Sequence, residues 1–324
     1  MATQQTDLPT DRFAETFTAI VDNVEHVIRG KRDVVRLMLL TLVAEGHLLV
    51  EDVPGVGKTS LAKALARSLD VSFGRVQFTP DLLPSDVVGI TVWNRSTSTF
   101  EFRPGPIFHA IVLGDEINRA SPKTQSALLE AMAEEQVTVD GATHQLASPF
   151  MVIATQNPIE FEGTYPLPES QLDRFLMRIE IGYPDKEAEL AVLDTHGRRS
   201  TLVDLEPVAT AAEVDDMIAT ARDIHVGDDV RRYLVDLADA TRRHPSLALG
   251  MSTRATLGWM RVSRALAATE GRDFVTPDDV KALAHPVLDH RLALTPEAQL
   301  QQRSTADAVD DVLRSVRIPG RVAP

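Results

Sequence analysis

The chain contains no cysteine among its 324 residues, which excludes disulfides, thiolate nucleophiles and cysteine-ligated zinc. Basic residues are scarce relative to acidic ones, since 33 Lys and Arg against 47 Asp and Glu give a net charge of −14. A chain of this charge repels the phosphate backbone of DNA and RNA. We therefore expect no nucleic-acid partner.

Long apolar runs are also missing. The most apolar stretch, residues 35–50, is interrupted by Thr41, Glu45, Gly46 and His47, and so falls short of the roughly 20 apolar residues that a membrane-spanning helix needs. The first ten residues are polar and lack the basic-then-apolar order of a signal peptide. We expect no membrane span and a cytoplasmic location.

The chain does have the composition of a globular protein, with 44% hydrophobic and 25% charged residues. In its first half, short apolar runs that end in polar residues predict buried strands, and segments with helical spacing alternate with them. The predicted strands are 47–50, 111–114, 150–154 and 176–181, and the predicted helices are 13–28, 33–44, 60–68 and 122–135. This alternation predicts an α/β fold with a mainly parallel sheet.

Two hairpins interrupt the α/β pattern, and helices alone follow it. The predicted hairpins pair 89–93 with 99–102 and 137–139 with 143–145, the second across Asp140-Gly141. Beyond Pro184 no strand is predicted, and the predicted helices are 186–196, 211–224, 228–241, 253–268, 276–285 and 305–315. The expected organisation is a tail 1–10, an α/β domain 11–184, a linker with a connecting helix 185–205, a smaller all-helical domain 206–316 and a tail 317–324.

A glycine-containing turn joins the first predicted strand to a helix, which is where backbone N–H groups and a helix N-terminus can cradle phosphates. This predicted phosphate-binding loop consists of Asp52, Val53, Pro54, Gly55, Val56, Gly57, Lys58, Thr59 and Ser60. Lys58 would reach the β- and γ-phosphates and the Thr59 hydroxyl a Mg²⁺ ion. Asp52 stands where this loop ordinarily has its first glycine, so its carboxylate must point away from the phosphates. The alternative is a glycine-rich surface turn with an exposed lysine.

An acidic pair, Asp115 and Glu116, directly follows the next predicted strand, 111–114. At a strand end one acid can join the coordination shell of Mg²⁺ and the other can lie beside an attacking water. We expect Asp115 to hold the metal and Glu116 to act as the base. An acidic pair alone is commonly a solvated turn, but a phosphate-binding loop upstream favours metal and water chemistry.

The sequence resembles the AAA+ ATPases, and more narrowly the MoxR family in the helix-2 insert clade. The resemblance lies in four blocks, 51–59, 114–120, 154–158 and 167–175, and extends from about residue 21 to residue 292. It implies a P-loop core with a helical lid, Mg²⁺-dependent hydrolysis of ATP and a homo-oligomer in the form of a hexameric ring. It also implies chaperone-like remodelling or maturation of partner proteins, often together with a von Willebrand factor A domain protein.

The resemblance implies roles for three further residues. Asn157 matches the sensor-1 position and would orient the hydrolytic water with Glu116, although a strand-end turn before Pro158 is the alternative. Arg174 matches the arginine finger, which reaches a neighbouring subunit's nucleotide and suits transition-state charge; a surface salt bridge is its alternative. Arg254 matches sensor 2 and would contact the phosphates of its own subunit.

Other residues are less specific. Ile28 and Gly30 match the position where relatives pack the adenine, and a simple helix end explains them equally well. Arg103 and Arg119 lie beside the expected site and receive no role. The hairpin 89–102 resembles the helix-2 insert, and its Trp93 would either grip a substrate or pair across the strands.

Three other functions remain as alternatives. The first is a nucleotide-controlled regulatory binding module with slow ATP turnover. The second is a P-loop kinase or GTPase, for which no guanine-reading element is present. The third is a nucleic-acid motor, which the net charge disfavours.

Overall fold

The computed structural model describes residues 9–157, 163–184, 186–187, 189–190 and 202–320. Its centre is a parallel five-stranded sheet in the order β2-β5-β8-β1-β9. The bounds of these strands are β1 Leu48–Glu51, β2 Phe73–Gln77, β5 Ile111–Asp115, β8 Met151–Gln156 and β9 Met177–Ile179. The predicted parallel α/β architecture is therefore confirmed.

The inner strands β1, β5 and β8 are apolar runs because helices cover both faces of the sheet and every side chain but the last of each strand is buried. Strand β2 was not predicted, since it is an edge strand in which Arg75 and Gln77 point outward between buried neighbours. Strand β9 is shorter than the predicted 176–181.

The four predicted helices of the first half lie close to their expected bounds, as α1 Pro9–Glu25, α2 Arg32–Val43, α3 Lys58–Ser68 and α5 Pro122–Glu134. Two short helices, α4 Pro84–Val88 and α6 Glu169–Leu172, were not predicted. In α1, Phe13, Phe17, Ile20 and Val24 are buried along one stripe at the spacing of helical turns. Helix α1 starts at Pro9, within the expected tail, and ends three residues before Ile28.

Both predicted hairpins are present. Their strands are β3 Gly89–Asn94, β4 Thr99–Pro104, β6 Gln136–Val139 and β7 Ala142–Gln145. Asp140 and Gly141 both have positive φ, +50° and +82°, which matches the tight turn expected of Asp-Gly. The rings of Phe102 and His144 stack with centroids 4.0 Å apart, so the two hairpins contact each other. Trp93 packs edge-to-face on Phe100, 5.0 Å between centroids.

The second half is a helical lid, as predicted, with one addition. Its helices are α7 Ala211–Asp223, α8 Asp228–Arg243, α9 Thr253–Thr269, α10 Pro277–Ala282, α11 Ala284–Leu288, α12 Pro296–Leu300 and α13 Thr305–Ser315. A short antiparallel ribbon, β10 Leu247–Leu249 with β11 Ala293–Leu294, lies among them, so this half is not entirely helical. The predicted helix 276–285 is two helices that meet at Leu283. The predicted helix 186–196 lies largely outside the described residues.

One hydrophobic core runs through both halves. It includes Phe17 of α1, Leu48 of β1 and Trp259 of α9, all of them buried. A second cluster, which contains Phe78 and Phe175, fills the other face of the sheet. Helix α1 packs on both α2 and α9, so the lid is held against the α/β core. Within the described ranges no helix is long and apolar enough to cross a bilayer.

Candidate nucleotide site

The loop between β1 and α3 has the backbone geometry that phosphate binding needs. Gly55 and Gly57 have φ values of +88° and +97°, a region that only glycine adopts freely. A side chain on Gly55 would meet no atom within 4 Å, so its backbone is open to a ligand. Helix α3 begins at Lys58, and its first N–H groups and positive dipole end point into the loop. The loop thus fits a triphosphate.

Lys58 lies at the centre of this loop. Its Nζ donates to the backbone oxygen of Asp52 at 2.5 Å. Burial lowers the pKa of Lys58, while the negative charges of Asp52, Asp115 and Glu116 act to raise it. Because the charges of Asp115 and Glu116 act on it, the ammonium group lies near both predicted acids. Lys58 is therefore positioned between the loop and the carboxylates at the end of β5.

The hydrogen bonds of Asp52 show how this loop accommodates an aspartate at the usual position of its first glycine. One carboxylate oxygen accepts from the N–H of Val53 at 2.8 Å, and the other accepts from the N–H groups of Ile181 and Gly182 at 2.7 and 2.6 Å. The carboxylate therefore points away from the loop interior, as expected, and ties the loop to the chain that follows β9. The hydrogen bond from Lys58 goes to the carbonyl oxygen of Asp52.

Asp115 ends β5 and carries two side-chain contacts. Its Oδ1 accepts from the Thr155 hydroxyl at 2.7 Å, and its Oδ2 accepts from the Arg75 guanidinium at 2.7 Å. One carboxylate together with the Thr59 hydroxyl is the small protein share of ligands that Mg²⁺ takes beside a nucleotide. These two residues fit the ion, and they would hold it against the phosphates. Bound there, Mg²⁺ would neutralise phosphate charge.

Glu116 has a strained backbone and a restrained side chain. Its φ and ψ, +59° and +51°, are left-handed, which is uncommon outside glycine and frequent at functional sites. Its N–H donates to the Thr155 hydroxyl at 2.9 Å, and its Oε2 accepts from Gln77 at 2.9 Å and Arg119 at 3.1 Å. Two neighbouring elements therefore set where this carboxylate points.

Sequence reasoning missed three of these contacting residues: Arg75, Gln77 and Thr155. Strand β2 contains no apolar run and was not predicted. The sequence therefore did not place Arg75 and Gln77 near the acidic pair. Thr155 had a signal, because it lies two residues before Asn157 in a block quoted for the family resemblance. Its hydroxyl joins the backbone of Glu116 to the carboxylate of Asp115.

The remaining predicted residues near the loop are Asn157, Ile28 and Gly30. Asn157 directly follows β8 and is buried, at the same sheet edge as Asp115. A side chain added to Gly57 would contact Cδ1 of Ile28 at 3.7 Å, so Ile28 packs beside the loop. Gly30, with φ of +70°, turns the chain between α1 and α2. This arrangement fits an adenine pocket, and contact with adenine stays a prediction.

Arg174 and Arg254 lie at the other end of the sheet. The N–H of Leu176, two residues after Arg174, donates to the oxygen of His47 at 2.8 Å, and His47 directly precedes β1. Both arginines line a cavity of about 150 Å³ beside His47. The phosphate-binding loop, in contrast, follows the carboxyl end of β1. We expected Arg254 to contact the phosphates of its own subunit. The structure does not bring it to that subunit's loop.

The physical reason is the docking of the lid. Ser252, two residues before Arg254, donates to the Asp173 carboxylate at 2.8 Å, so the start of α9 lies against the residue that precedes Arg174.

Arg103 lies on β4 with an exposed side chain, across from Ile90 in the hairpin. The other unassigned arginine, Arg119, contacts the predicted base Glu116.

Comparison with known proteins agrees with this arrangement. A model of the ATPase family associated with various cellular activities (AAA) matches residues 47–177, and a model of the AAA lid domain matches residues 239–312. The Bacillus subtilis protein YeaC is 49% identical over 92% of this chain and 93% of its own length. Chaperone MoxR1 of Mycobacterium tuberculosis is 39% identical over 94% of this chain and 82% of its own length. A crystal structure from Cytophaga hutchinsonii matches with a TM-score of 0.89 at 37% identity, covering 96% of this chain and 97% of that one.

The loop, the acidic pair at the end of β5 and the helical lid together define a nucleotide-binding ATPase of the AAA+ class. Relatives of known family extend over nearly the whole chain at more than 30% identity. The chain belongs to the MoxR family of AAA+ ATPases, and the resemblance seen in the sequence is confirmed.

Proposed function

We propose that this chain is a cytoplasmic, Mg²⁺-dependent ATPase that converts ATP and water to ADP and phosphate and uses that reaction for chaperone-like remodelling or maturation of partner proteins. One observation carries the proposal. The residues assigned to phosphate binding and water activation lie at the carboxyl ends of β1, β5 and β8, whereas Arg174 and Arg254 lie at the amino end of the sheet. The complete site therefore needs two copies of the chain.

Each residue at the carboxyl end has a distinct task. The backbone from Gly55 to Lys58 binds the phosphates, and the Lys58 ammonium offsets their charge. Thr59 and Asp115 would hold Mg²⁺. Glu116 accepts the proton of the attacking water, which Asn157 helps to orient. Removal of that proton makes the water oxygen a better nucleophile toward the γ-phosphorus atom.

The arginines at the amino end act on the neighbour. A guanidinium is permanently charged and planar, and it can stabilise the charge that develops on the transferred phosphoryl group. We assign this role to Arg174, with Arg254 beside it reaching the same neighbouring nucleotide. This replaces the expected contact of Arg254 with its own subunit's phosphates. A closed ring, hexameric by family resemblance, gives every copy a complete site.

The work performed with ATP is inferred from relatives. The relative from Mycobacterium tuberculosis is named a chaperone. Family resemblance adds a von Willebrand factor A domain protein as the partner that would supply specificity. The hairpin bearing the exposed side chains of Trp93 and Phe100 is a candidate surface for a client polypeptide.

One observation favours slow, regulated turnover as a second function. Glu116 is held through Oε2 by Gln77 and Arg119, so its carboxylate is not free to turn. A nucleotide-controlled binding module would use such a restraint to keep ATP bound between signals. Turnover that stays low in the assembled protein and rises only with a partner would favour this function.

The test is the ATPase rate per subunit as a function of protein concentration, with sedimentation of the same samples. We expect the specific rate to rise as ATP-dependent assembly proceeds and to vanish when EDTA removes Mg²⁺. Lys58→Ala and Arg174→Ala should each be inactive alone. Mixed, they should recover activity, because an intact finger can then meet an intact loop. Full activity of Arg174→Ala at every concentration would refute the shared site.

A further inference from the structure

The lid contacts the segment that carries the proposed arginine finger. This finger segment, Asp173–Leu176, joins α6 to β9. On one side, the Arg174 guanidinium donates to the backbone oxygen of Leu129 in α5 at 2.5 Å. On the other side, the backbone and the Asp173 carboxylate of the segment are held by residues of the lid. The segment thus lies between α5 and the lid.

Arg291 makes most of the lid's contacts. It follows α11 and is only 5% exposed. Its Nε donates to the Asp173 carboxylate at 3.0 Å and its Nη1 to the oxygen of Leu176 at 2.9 Å. Its Nη2 donates to the oxygen of Phe175, and Nη1 also donates to that of Val287. One side chain therefore contacts three of the four residues of the finger segment.

Two other lid residues contact the same segment. His290 donates from Nε2 to the oxygen of Phe175 at 3.0 Å, and Ser252 donates to the second carboxylate oxygen of Asp173 at 2.8 Å. Burial lowers the pKa of Arg291 to about 10, while Asp173 acts to raise it, so the guanidinium is charged at neutral pH. Arg174 itself receives none of these lid contacts and keeps its side chain toward the surface cavity.

We propose that Arg291 is a positioning residue for hydrolysis: from the lid, it fixes the backbone of the finger segment so that Arg174 reaches the nucleotide of a neighbouring copy. The proposal rests on the proposed trans role of Arg174. A guanidinium is suited to this task because its donors form a rigid, planar fork that can bind several backbone oxygens at once. A lysine at this position keeps the charge and loses the fork.

Arg291→Lys tests this role. Catalytic groups misplaced by about 1 Å lose on the order of 100-fold in rate, so we expect kcat to fall by about tenfold or more. The KM for ATP should change less than twofold, because the subunit's own loop is untouched. Arg272→Lys is the matched control, since Arg272 also binds an aspartate of the lid, Asp279, at 2.6 and 2.8 Å but does not contact the finger segment.

Mixing experiments separate positioning from a general loss of structure. Arg291→Lys mixed with Lys58→Ala should regain activity, because the Lys58→Ala copy offers a well-placed finger to the intact loop of the other. Arg291→Lys mixed with Arg174→Ala should stay inactive, because neither copy offers a working finger. A subunit that is merely misfolded would not be rescued by Lys58→Ala. Asp173→Asn, which weakens the same contact, provides a second variant if Arg291→Lys does not fold.

The outcomes separate the shared site from the positioning role of Arg291. If Arg174→Ala alone retains turnover, the shared site is wrong and the role of Arg291 falls with it. If Arg174→Ala behaves as a lost finger while Arg291→Lys keeps full kcat, only the positioning role is refuted. The same holds if Arg291→Lys is inactive and Lys58→Ala fails to rescue it.

Discussion

Restoring glycine at Asp52 should damage this protein, although glycine is the usual residue at that position of a phosphate-binding loop. The Asp52 carboxylate accepts three backbone hydrogen bonds, from the N–H groups of Val53, Ile181 and Gly182. Asp52 is 8% exposed and Ile181 is 3% exposed, so water cannot readily replace the carboxylate. Asp52→Gly therefore leaves at least one buried donor without its acceptor.

The expected magnitude follows from these contacts. A buried donor that loses its partner costs about 1–3 kcal/mol, and the added glycine costs about 0.5–1 kcal/mol through backbone freedom. With partial hydration of the more exposed Gly182 amide, we expect the free energy of unfolding to fall by about 3 kcal/mol. In a protein of this size each kcal/mol lowers Tm by about 2–4 °C. Asp52→Asn keeps one acceptor oxygen and should lose about half as much.

Calorimetry without nucleotide, in parallel with ATP binding, measures both effects. We expect the order wild type, Asp52→Asn, Asp52→Gly in decreasing Tm, and weaker ATP binding in the glycine variant because the loop loses its tie to residues 181–182. Asp81→Gly offers a matched control: it replaces an exposed aspartate that precedes α4 and, like Asp52, does not have a positive φ. An unchanged or higher Tm for Asp52→Gly would contradict the anchoring role.

Two further predictions concern the base and a buried histidine. Glu116→Gln should bind ATP, lower kcat by at least about 100-fold and hold the ATP-bound assembly in sedimentation; normal phosphate release would remove Glu116 as the base. His47 accepts from the Val152 N–H and donates to Met132, and burial lowers its pKa from 6.5 to about 4. The folded chain resists a proton that the unfolded chain takes up, so His47 should lower the free energy of unfolding by about 3 kcal/mol between pH 6.5 and 4. Urea unfolding at several pH values would measure this slope, which His47→Gln should reduce.

The sequence predicted where the loop and the acidic pair lie because both depend on short contiguous segments. Residues 52–60 and 115–116 each lie at the end of an apolar strand, and parallel strands bring such ends together. The neighbours that restrain these groups were not predictable in this way. Gln77 lies on an edge strand with no apolar run, and Ile181 lies 129 residues from Asp52. Such contacts follow from sheet order and not from local pattern.

The prediction for Arg254 departed further from the structure than the prediction of the loop and the acidic pair. Helix α9 was predicted almost to the residue, and yet Arg254 at its start lies far from the loop that it was expected to contact. A helical pattern states which face is apolar, but not onto which end of the sheet the helix packs. That choice depends on distant contacts such as Ser252 with Asp173 and the buried Arg291. The small β10-β11 ribbon was missed because its strands have three and two residues.

The short strand β9 fixes the distance between two parts of the subunit. Asp52 holds residues 181–182 beyond one end of this strand, the finger segment lies at the other, and the three strand residues, Met177–Ile179, are paired to β1. A strand rises about 3.3 Å per residue and stretches little. In the proposed ring, this paired strand would set the distance between the nucleotide that a subunit binds and the finger that it offers to its neighbour.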